Sequence, residues 1–289
     1  MQDGEQIRLL MLGASGRLGR LLSAAWPDGP VRLLRQGRSA ATGPGWISCD
    51  PLADPDGLRR AMGRADVVLN LAGPVPRGGQ VDLHLHSRLA LAVLRAARQA
   101  GVRQVFLASS AAIYGARPGI CMETDPPAPV GPYGHAKHRM EDRVRAQLAT
   151  TPGAPPTTIL RIGNVAGADQ LLGRVGAVPL TLDRFANGQT PRRSYIGPRS
   201  LARVLAELVT VSLERALPSV LNVAAPGSVS MAALLRAAGQ AWSPAPASGA
   251  AIAQVTLDTR LLRQHVDFTP AESTAAGIVA QWRATCAAA

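Results

Sequence analysis

Near its start the chain reads Ile7-Arg8-Leu9-Leu10-Met11-Leu12, followed at once by Gly13-Ala14-Ser15-Gly16-Arg17-Leu18-Gly19. A short apolar run of this kind suits a strand buried on both faces of a parallel sheet. Glycines at three-residue spacing allow a tight turn and a close approach of backbone to backbone or ligand. The stretch from Arg20 to Ala25 has helical composition. A strand, a glycine turn and a helix in that order aim the free N–H groups of a helix start at one spot, which favours a pyrophosphate. The spacing is G-x-x-G-x-x-G rather than G-x-G-x-x-G, but the mechanics are the same. The chain is therefore expected to open with the first unit of a dinucleotide-binding sheet.

The alternation continues. Val31 to Leu34 reads as a second strand ending at Arg35, Trp46 to Asp50 as a third, and Asp66 to Gly73 as a fourth that breaks into the small-residue turn Leu71-Ala72-Gly73. Leu83 to Ala100 reads as a long helix, Val102 to Ala108 as a fifth strand ending in Ser109-Ser110, and Thr157 to Ile162 as a sixth ending at Gly163-Asn164. This pattern predicts an α/β fold, a doubly wound parallel sheet. Beyond it, Gly167 to Ser194 has few strand signals, and Ala241 to Ala251 reads as a linker. Residues 1–165 are thus expected to form a dinucleotide-binding domain. Residues 166–289 would form a smaller substrate-binding lobe, with roughly 196–225 returning to the first domain.

In such a fold the end of the second strand meets the adenosine ribose. Arg35 there, with Arg38 nearby, would attract a 2′-phosphate and so favours NADP over NAD. Asp50 at the end of the third strand suits the adenine amino group. The formal net charge of +12 comes from arginines scattered through the chain, with only 3% aromatic residues, so no nucleic-acid partner is expected. No apolar run is long enough for a bilayer and no signal-peptide pattern opens the chain. Cys49, Cys121 and Cys286 lack metal-ligand spacing, and His84 and His86, two residues apart, do not share a helix face. A cytoplasmic protein with no metal and no membrane contact is expected.

Pro132-Tyr133-Gly134-His135-Ala136-Lys137 then places a tyrosine and a lysine four residues apart. Proline suits a helix start, and Met140, Val144 and Leu148 continue an apolar stripe, so both side chains would lie on one face. A phenol titrates near pH ~10 and is a poor acid or base at neutrality unless a nearby cation lowers that value. Lys137 is the candidate cation, and it is the only lysine in a chain with 31 Lys and Arg together.

These landmarks, in this order, resemble the extended branch of the short-chain dehydrogenase/reductase superfamily, the NAD(P)-dependent epimerase/dehydratase family. Gly13, Gly16 and Gly19 match its glycine turn, which with Ser15, Arg17 and Leu18 would hold the pyrophosphate. Asp50 matches its adenine-side acid, and Asn70 to Gly73 its N-x-A-G-like turn, with Leu71, Ala72 and Gly73 beside the cofactor. Ser110, four residues before Tyr114, matches its catalytic serine; Tyr133 and Lys137 match its Y-x-x-x-K pair. Arg161 to Gly167 resembles its L-R-x-x-N-x-x-G segment, where Asn164 would border the substrate. Arg193 to Ile196 resembles its R-x-F-I stretch, which places Tyr195 by the substrate. The resemblance implies a Rossmann fold and hydride transfer between a nicotinamide and a carbonyl or carbinol carbon of a sugar-like or small carbonyl substrate. Tyr133 would act as acid or base, Ser110 would hold the substrate oxygen, and Lys137 would bind the nicotinamide ribose. By analogy with relatives, a homodimer is expected.

The departures carry information. Ala111-Ala112 stand where dehydratases of the family have an Asp-Glu pair, and two methyl groups cannot run the acid–base steps of water elimination. His86 falls where many relatives have an asparagine near the cofactor. The segment between Asn164 and Tyr195 is short for an enzyme that encloses a nucleotide sugar. These points, with Arg35, favour an NADP-dependent reductase. An NAD-dependent nucleotide-sugar epimerase is the alternative, and a non-catalytic dinucleotide-binding sensor or scaffold the reading of another class.

Overall fold

The structure is a computed structural model that describes residues 6–39, 43–75, 81–117, 119–174, 180–249 and 251–287. Its strands are β1 (Ile7–Leu12), β2 (Val31–Gly37), β3 (Trp46–Ser48), β4 (Val67–Asn70), β5 (Gln104–Ser110), β6 (Ile120–Cys121), β7 (Thr157–Ile162) and β8 (Asn164–Val165). They continue with β9 (Thr181–Arg184), β10 (Arg192–Arg193), β11 (Tyr195–Ile196), β12 (Val220–Val223), β13 (Val229–Ser230), β14 (Ser243–Pro246) and β15 (Gln254–Leu257). The α-helices are α1 (Arg17–Ala25), α2 (Pro55–Met62), α3 (Leu85–Ala100), α4 (Pro132–Thr150), α5 (Pro198–Glu214), α6 (Met231–Ala237) and α7 (Ala275–Ala287).

Seven strands form one sheet in the order β12-β7-β5-β4-β1-β2-β3, every pair parallel. Alternate residues of β1 feed opposite cores, as strand geometry demands. Leu9 and Met11 pack with Leu22 of α1 and Leu201 and Leu205 of α5. Leu10 and Leu12 pack with Leu58 of α2, Val93 of α3 and Met140 of α4. The predicted doubly wound sheet is therefore present, with helices on both faces. Strand order reverses between β1 and β4, which opens a crevice at their carboxyl ends.

The rest of the chain is more ordered than its sequence suggests. Within the stretch expected to be irregular, β9 pairs in parallel with β14, which lies inside the expected linker. β14 reads Ser243-Pro244-Ala245-Pro246 and, among the described residues, has β9 as its only strand neighbour. Proline removes a ladder donor and is tolerated on such an edge, but it hides the strand from pattern reading. β13, β10, β15 and β6 form a second small sheet, and the β8–β11 pair joins the end of β7 to the start of α5. Leu182, Leu234, Leu235, Ile278 and Val279 make a separate core for this part. Among the described residues no helix is long and apolar enough to cross a membrane.

A buried ion pair clamps the sheet to α4. Arg161 of β7 is 2% exposed and Glu141 of α4 is fully buried. Arg161 donates through Nη2 to Glu141 Oε2 at 2.9 Å and through Nε to Oε1 at 3.2 Å. It also donates through Nη1 to the Tyr114 hydroxyl at 2.9 Å and the Glu123 carbonyl at 3.0 Å. Ser109 donates to Glu141 Oε1 at 2.6 Å, and the half-exposed Arg145 to Oε2 at 2.7 Å. Burial pushes the Glu141 carboxyl up, but the bonds and charge of Arg161, then Ser109 and Arg145, hold it below its ordinary value. Removing one partner strands a buried charge, whereas removing a surface partner costs little. Arg161→Met is therefore expected to lower stability in urea denaturation by ~3–5 kcal/mol, and Arg145→Met by less than about 1 kcal/mol.

Candidate active site

The glycine turn is built by backbone contact. Gly13 has φ +77°, and a Cβ there would come within 2.8 Å of Ala72 N. A Cβ on Gly19 would lie 2.5 Å from the Gly13 carbonyl oxygen. Gln36, buried at the end of β2, secures the turn. Its Oε1 accepts from Gly13 N at 3.0 Å, its carbonyl from Ala14 N at 3.0 Å, and its Nε2 donates to the Cys49 carbonyl at 2.5 Å. Helix α1 begins after Gly16 with no side-chain cap and no acid in its first turn, so its leading N–H groups stay available.

A cleft of about 690 Å³ runs from this turn to the start of α4. Gly13, Gly16, Arg17, Leu18, Gly19, Leu71 and Gly73 line one end; Ser110, Tyr133, Lys137 and Asn164 line the other. Ala72 backs the turn rather than facing the cleft, and its N–H donates to Asn70 Oδ1 at 3.1 Å. Ser15 is exposed on the outer side, and its carbonyl accepts from Arg20.

Of the expected cofactor contacts beyond the glycine turn, Arg35 is placed differently, and Asp50 lies just past β3 as expected with one oxygen engaged in a turn. β2 runs two residues further than its pattern suggests, to Gly37, so Arg35 sits inside the strand, opposite Met11 and Trp46. Its guanidinium lies against the Gly45 backbone, not at the strand's carboxyl end. Exposed Arg38 is the arginine beyond that end. Asp50 Oδ1 accepts from Leu52 N at 2.8 Å and Ala53 N at 3.0 Å, which commits that oxygen to a turn. Those bonds outweigh burial and, with the charge of Arg38, hold the Asp50 carboxyl below its ordinary value.

At the chemical end of the cleft, Tyr133 and Lys137 lie one turn apart on α4, as their spacing predicts. Lys137 is 6% exposed, and its Nζ donates to the Ala108 carbonyl of β5 at 2.7 Å while standing 5.8 Å from the centre of the Tyr133 ring. Burial lowers the Lys137 ammonium to about 8, against an upward pull from Glu141. The expectation is that Lys137 favours the tyrosinate together with the charge of an oxidised nicotinamide, and Lys137 by itself does not offset the burial of the phenol. Burial pushes the phenol up to about 12, and the opposing influence is a hydrogen bond with Ser110. Ser110 Oγ also accepts from Ala112 N at 3.1 Å. Burial thus favours the neutral phenol over the phenolate.

Asn164 borders the cleft, but Tyr195 does not. It is 2% exposed, and its hydroxyl donates to Asp169 Oδ2 at 2.7 Å. The β8–β11 pairing turns its ring into the core of the smaller lobe, and Asp169 is the group that lines the cleft in its place. Burial raises the Asp169 carboxyl, against the bond from Tyr195 and those from Gly173, Leu171 and Leu172. Sequence reading missed Gln36, Glu141 and Asp169. Of these only Glu141, one turn after the lone lysine, had a visible signal. His86 lines the cleft beside Tyr133, the rings edge to face with centres 5.6 Å apart. Among the described residues no cluster of His, Cys, Asp and Glu could hold a metal.

The residues present fit a dinucleotide. The uncapped start of α1 suits a pyrophosphate, and the turn glycines leave the backbone bare. A long cleft leads from there to a buried ammonium and a phenol, and the orphaned ring of His86 leaves room for one more polar partner. Fold and site together define a Rossmann-type protein with a Ser-Tyr-Lys centre. The chain belongs to the NAD dependent epimerase/dehydratase family, whose model matches residues 9–205. It is 33% identical over 193 residues to a UDP-glucose 4-epimerase of Azospirillum brasilense, a match covering 61% of this chain and 53% of that one. It is similar in fold to a UDP-glucose-4-epimerase of Stenotrophomonas maltophila solved with NAD and formylated UDP-arabinopyranose. There the TM-score is 0.78 at 19% identity, over 98% of both chains. It also resembles TunA, an NAD dependent NDP-hexosamine 5,6-dehydratase, with a TM-score of 0.69 at 20% identity over 96% of this chain and 98% of that one.

His86 gives a pH prediction. Burial, then the charge of Lys137, lowers its imidazole from 6.5 to about 3, while the Pro74 backbone pulls weakly upward. The depressed folded value means that the stability tied to a neutral ring is complete above pH ~6.5 and is lost on acidification toward pH ~3. Between pH ~6.5 and ~4 the wild-type protein should lose on the order of 3 kcal/mol more than His86→Asn, read by denaturant unfolding at each pH.

Proposed function

We propose that this protein is an NAD-dependent enzyme that moves a hydride to and from a carbinol carbon of a nucleotide sugar, in the manner of a 4-epimerase. The observation that carries this reading is the convergence of Ser110, Tyr133 and Lys137 at the far end of a cleft that begins on the glycine turn. A scaffold that had lost its chemistry would have no need to bury its sole ammonium against a phenol, since burial of an unpaired charge is costly. When bound, the oxidised nicotinamide supplies a hydride acceptor. The chain's own part is to orient the sugar and handle one proton. Ser110 would hydrogen-bond the reacting oxygen, Tyr133 as its phenolate would take the hydroxyl proton as the hydride leaves, and the phenol so formed would return that proton when the hydride comes back. Lys137 contributes a positive charge and donors toward the nicotinamide ribose.

Three further observations bear on the choice among relatives' reactions. Ala111 and Ala112 offer no acid–base group, which argues against dehydration despite the likeness to TunA. Arg35, the main support for NADP and a reductase, lies within β2 and away from its carboxyl end. A relative matched over 61% of this chain and 53% of its own length is a UDP-glucose 4-epimerase. The reductase remains the second reading because Arg38 stands exposed at the end of β2.

An epimerase has reason to keep its cofactor between turnovers, and a reductase must exchange it. Native mass spectrometry of the purified protein should find tightly held NAD⁺ or NADH. Recovery of cofactor-free protein that oxidises NADPH in the presence of carbonyl compounds would favour the reductase. Tyr133→Phe should reduce turnover by ~10²–10⁴-fold while leaving NAD⁺ affinity within about twofold. Unchanged turnover would remove Tyr133 from the mechanism.

A further inference from the structure

Among the described residues that line the cleft, His86 alone has buried side-chain nitrogens without a full hydrogen bond. It is 2% exposed. Buried polar groups are almost always partnered, and an orphan calls for a missing partner. The neighbouring donors are engaged elsewhere: Tyr133 is hydrogen-bonded with Ser110, and Lys137 donates to the Ala108 carbonyl.

The ring's orientation fixes what it can offer. Its Nδ1 edge faces Gly73, where a Cβ would land on Nδ1 and Cε1. The adjoining backbone group that acts on the ring belongs to Pro74. Proline has no N–H, so that group is a carbonyl, and it can only accept. The single proton of the neutral ring therefore faces that carbonyl, short of a full bond, and the other ring nitrogen is left as a bare acceptor. The ammonium of Lys137 opposes a second proton on the ring, which keeps the imidazole neutral.

We infer that the unprotonated ring nitrogen of His86 accepts a hydrogen bond from a sugar hydroxyl of a ligand in the cleft, and that this bond seats the sugar against the Tyr133 ring. The inference rests on the dinucleotide-dependent reading above. The hydroxyl belongs to the ribose next to the nicotinamide or to the sugar of the substrate, and the two sources can be separated. A neutral ring suits this place: it adds no charge beside Lys137, and its edge-to-face contact holds Tyr133 in one pose.

The test measures dissociation constants by calorimetry for NAD⁺, ADP-ribose and ADP with wild type, His86→Phe and His86→Asn. Phenylalanine keeps the edge-to-face contact but has no acceptor, and asparagine restores one. His86→Phe should weaken NAD⁺ and ADP-ribose about tenfold each and leave ADP unchanged. His86→Asn should recover most of the loss, and His86→Phe without ligand should melt no lower than wild type at pH ~7, because a buried orphan has been removed. If dinucleotide affinities hold but UDP-glucose binds the NAD⁺-loaded variant about tenfold more weakly, the donor is the substrate's sugar, which also supports the inference.

Equal affinities for every probe would overturn it. So would equal losses in both variants, or a loss for ADP as well, since either marks a purely structural role. Weakening of NAD⁺ alone would assign the contact to the carboxamide rather than a hydroxyl and refute the inference. Should His86→Phe prove insoluble, His86→Leu takes its place with the same expectations. Wild-type protein that binds neither NAD⁺ nor ADP-ribose would refute the functional reading itself, and the inference with it.

Discussion

The site depends on how one ammonium group is buried. Lys137 stands at the bottom of the cleft with its Nζ on the Ala108 carbonyl, and a turn further along α4 the Glu141 carboxylate is held by Arg161, Ser109 and Arg145. An isolated charge in such a place is expensive, so the buried carboxylate and the carbonyl together keep it tolerable. The arrangement also docks α4 on β5 and β7, and docking α4 sets the position of Tyr133. The same burial that holds the ammonium in place raises the phenol instead of acidifying it. A phenol raised in this way holds its proton tightly, and positive charge nearby is what favours the phenolate that could accept one. The chain thus supplies geometry, and the remaining electrostatic push must come with a ligand.

Much of this was legible in the sequence, for physical reasons. The glycine turn after β1 announced the sheet, because few backbones need that many bare positions in sequence. The four-residue spacing of Tyr133 and Lys137 fixed their shared face, because helix geometry leaves no choice once Pro132 starts the helix. What escaped depended on tertiary detail. Arg35 was placed at a strand end because the apolar run stops at Leu34, yet β2 continues through Gln36, whose amide is absorbed by the glycine turn. Tyr195 is expected at the substrate from a motif, but a two-residue strand pairing turns its ring inward and leaves Asp169 lining the cleft instead. The sign of the Tyr133 shift could not be read at all, because it hangs on burial rather than on the identity of the neighbour.

The family match spans residues 9–205, so α6, α7 and β12 to β15 lie beyond it. The part of the chain that would grip a substrate is therefore the part with the least resemblance to draw on. The segment between Asn164 and Tyr195, expected to be short for an enzyme that encloses a nucleotide sugar, carries β9, which pairs with β14. His86 is the other local departure, set where cofactor, Tyr133 and Lys137 would meet.

The central claim is that positive charge brought by a bound oxidised dinucleotide, and not Lys137 alone, makes Tyr133 acidic. A spectroscopic pH titration of tyrosine ionisation, with and without saturating NAD⁺ and with Tyr133→Phe as reference, tests it directly. Tyr114 is likewise pushed up to about 12 and burial raises Tyr195 well above its ordinary value, so neither should interfere near neutrality. Without ligand, no tyrosine should ionise below pH ~10; with NAD⁺, one should ionise well below that, and Tyr133→Phe should abolish the transition. A Tyr133 transition near neutrality in the ligand-free protein, or none in the NAD⁺ complex, would contradict the account.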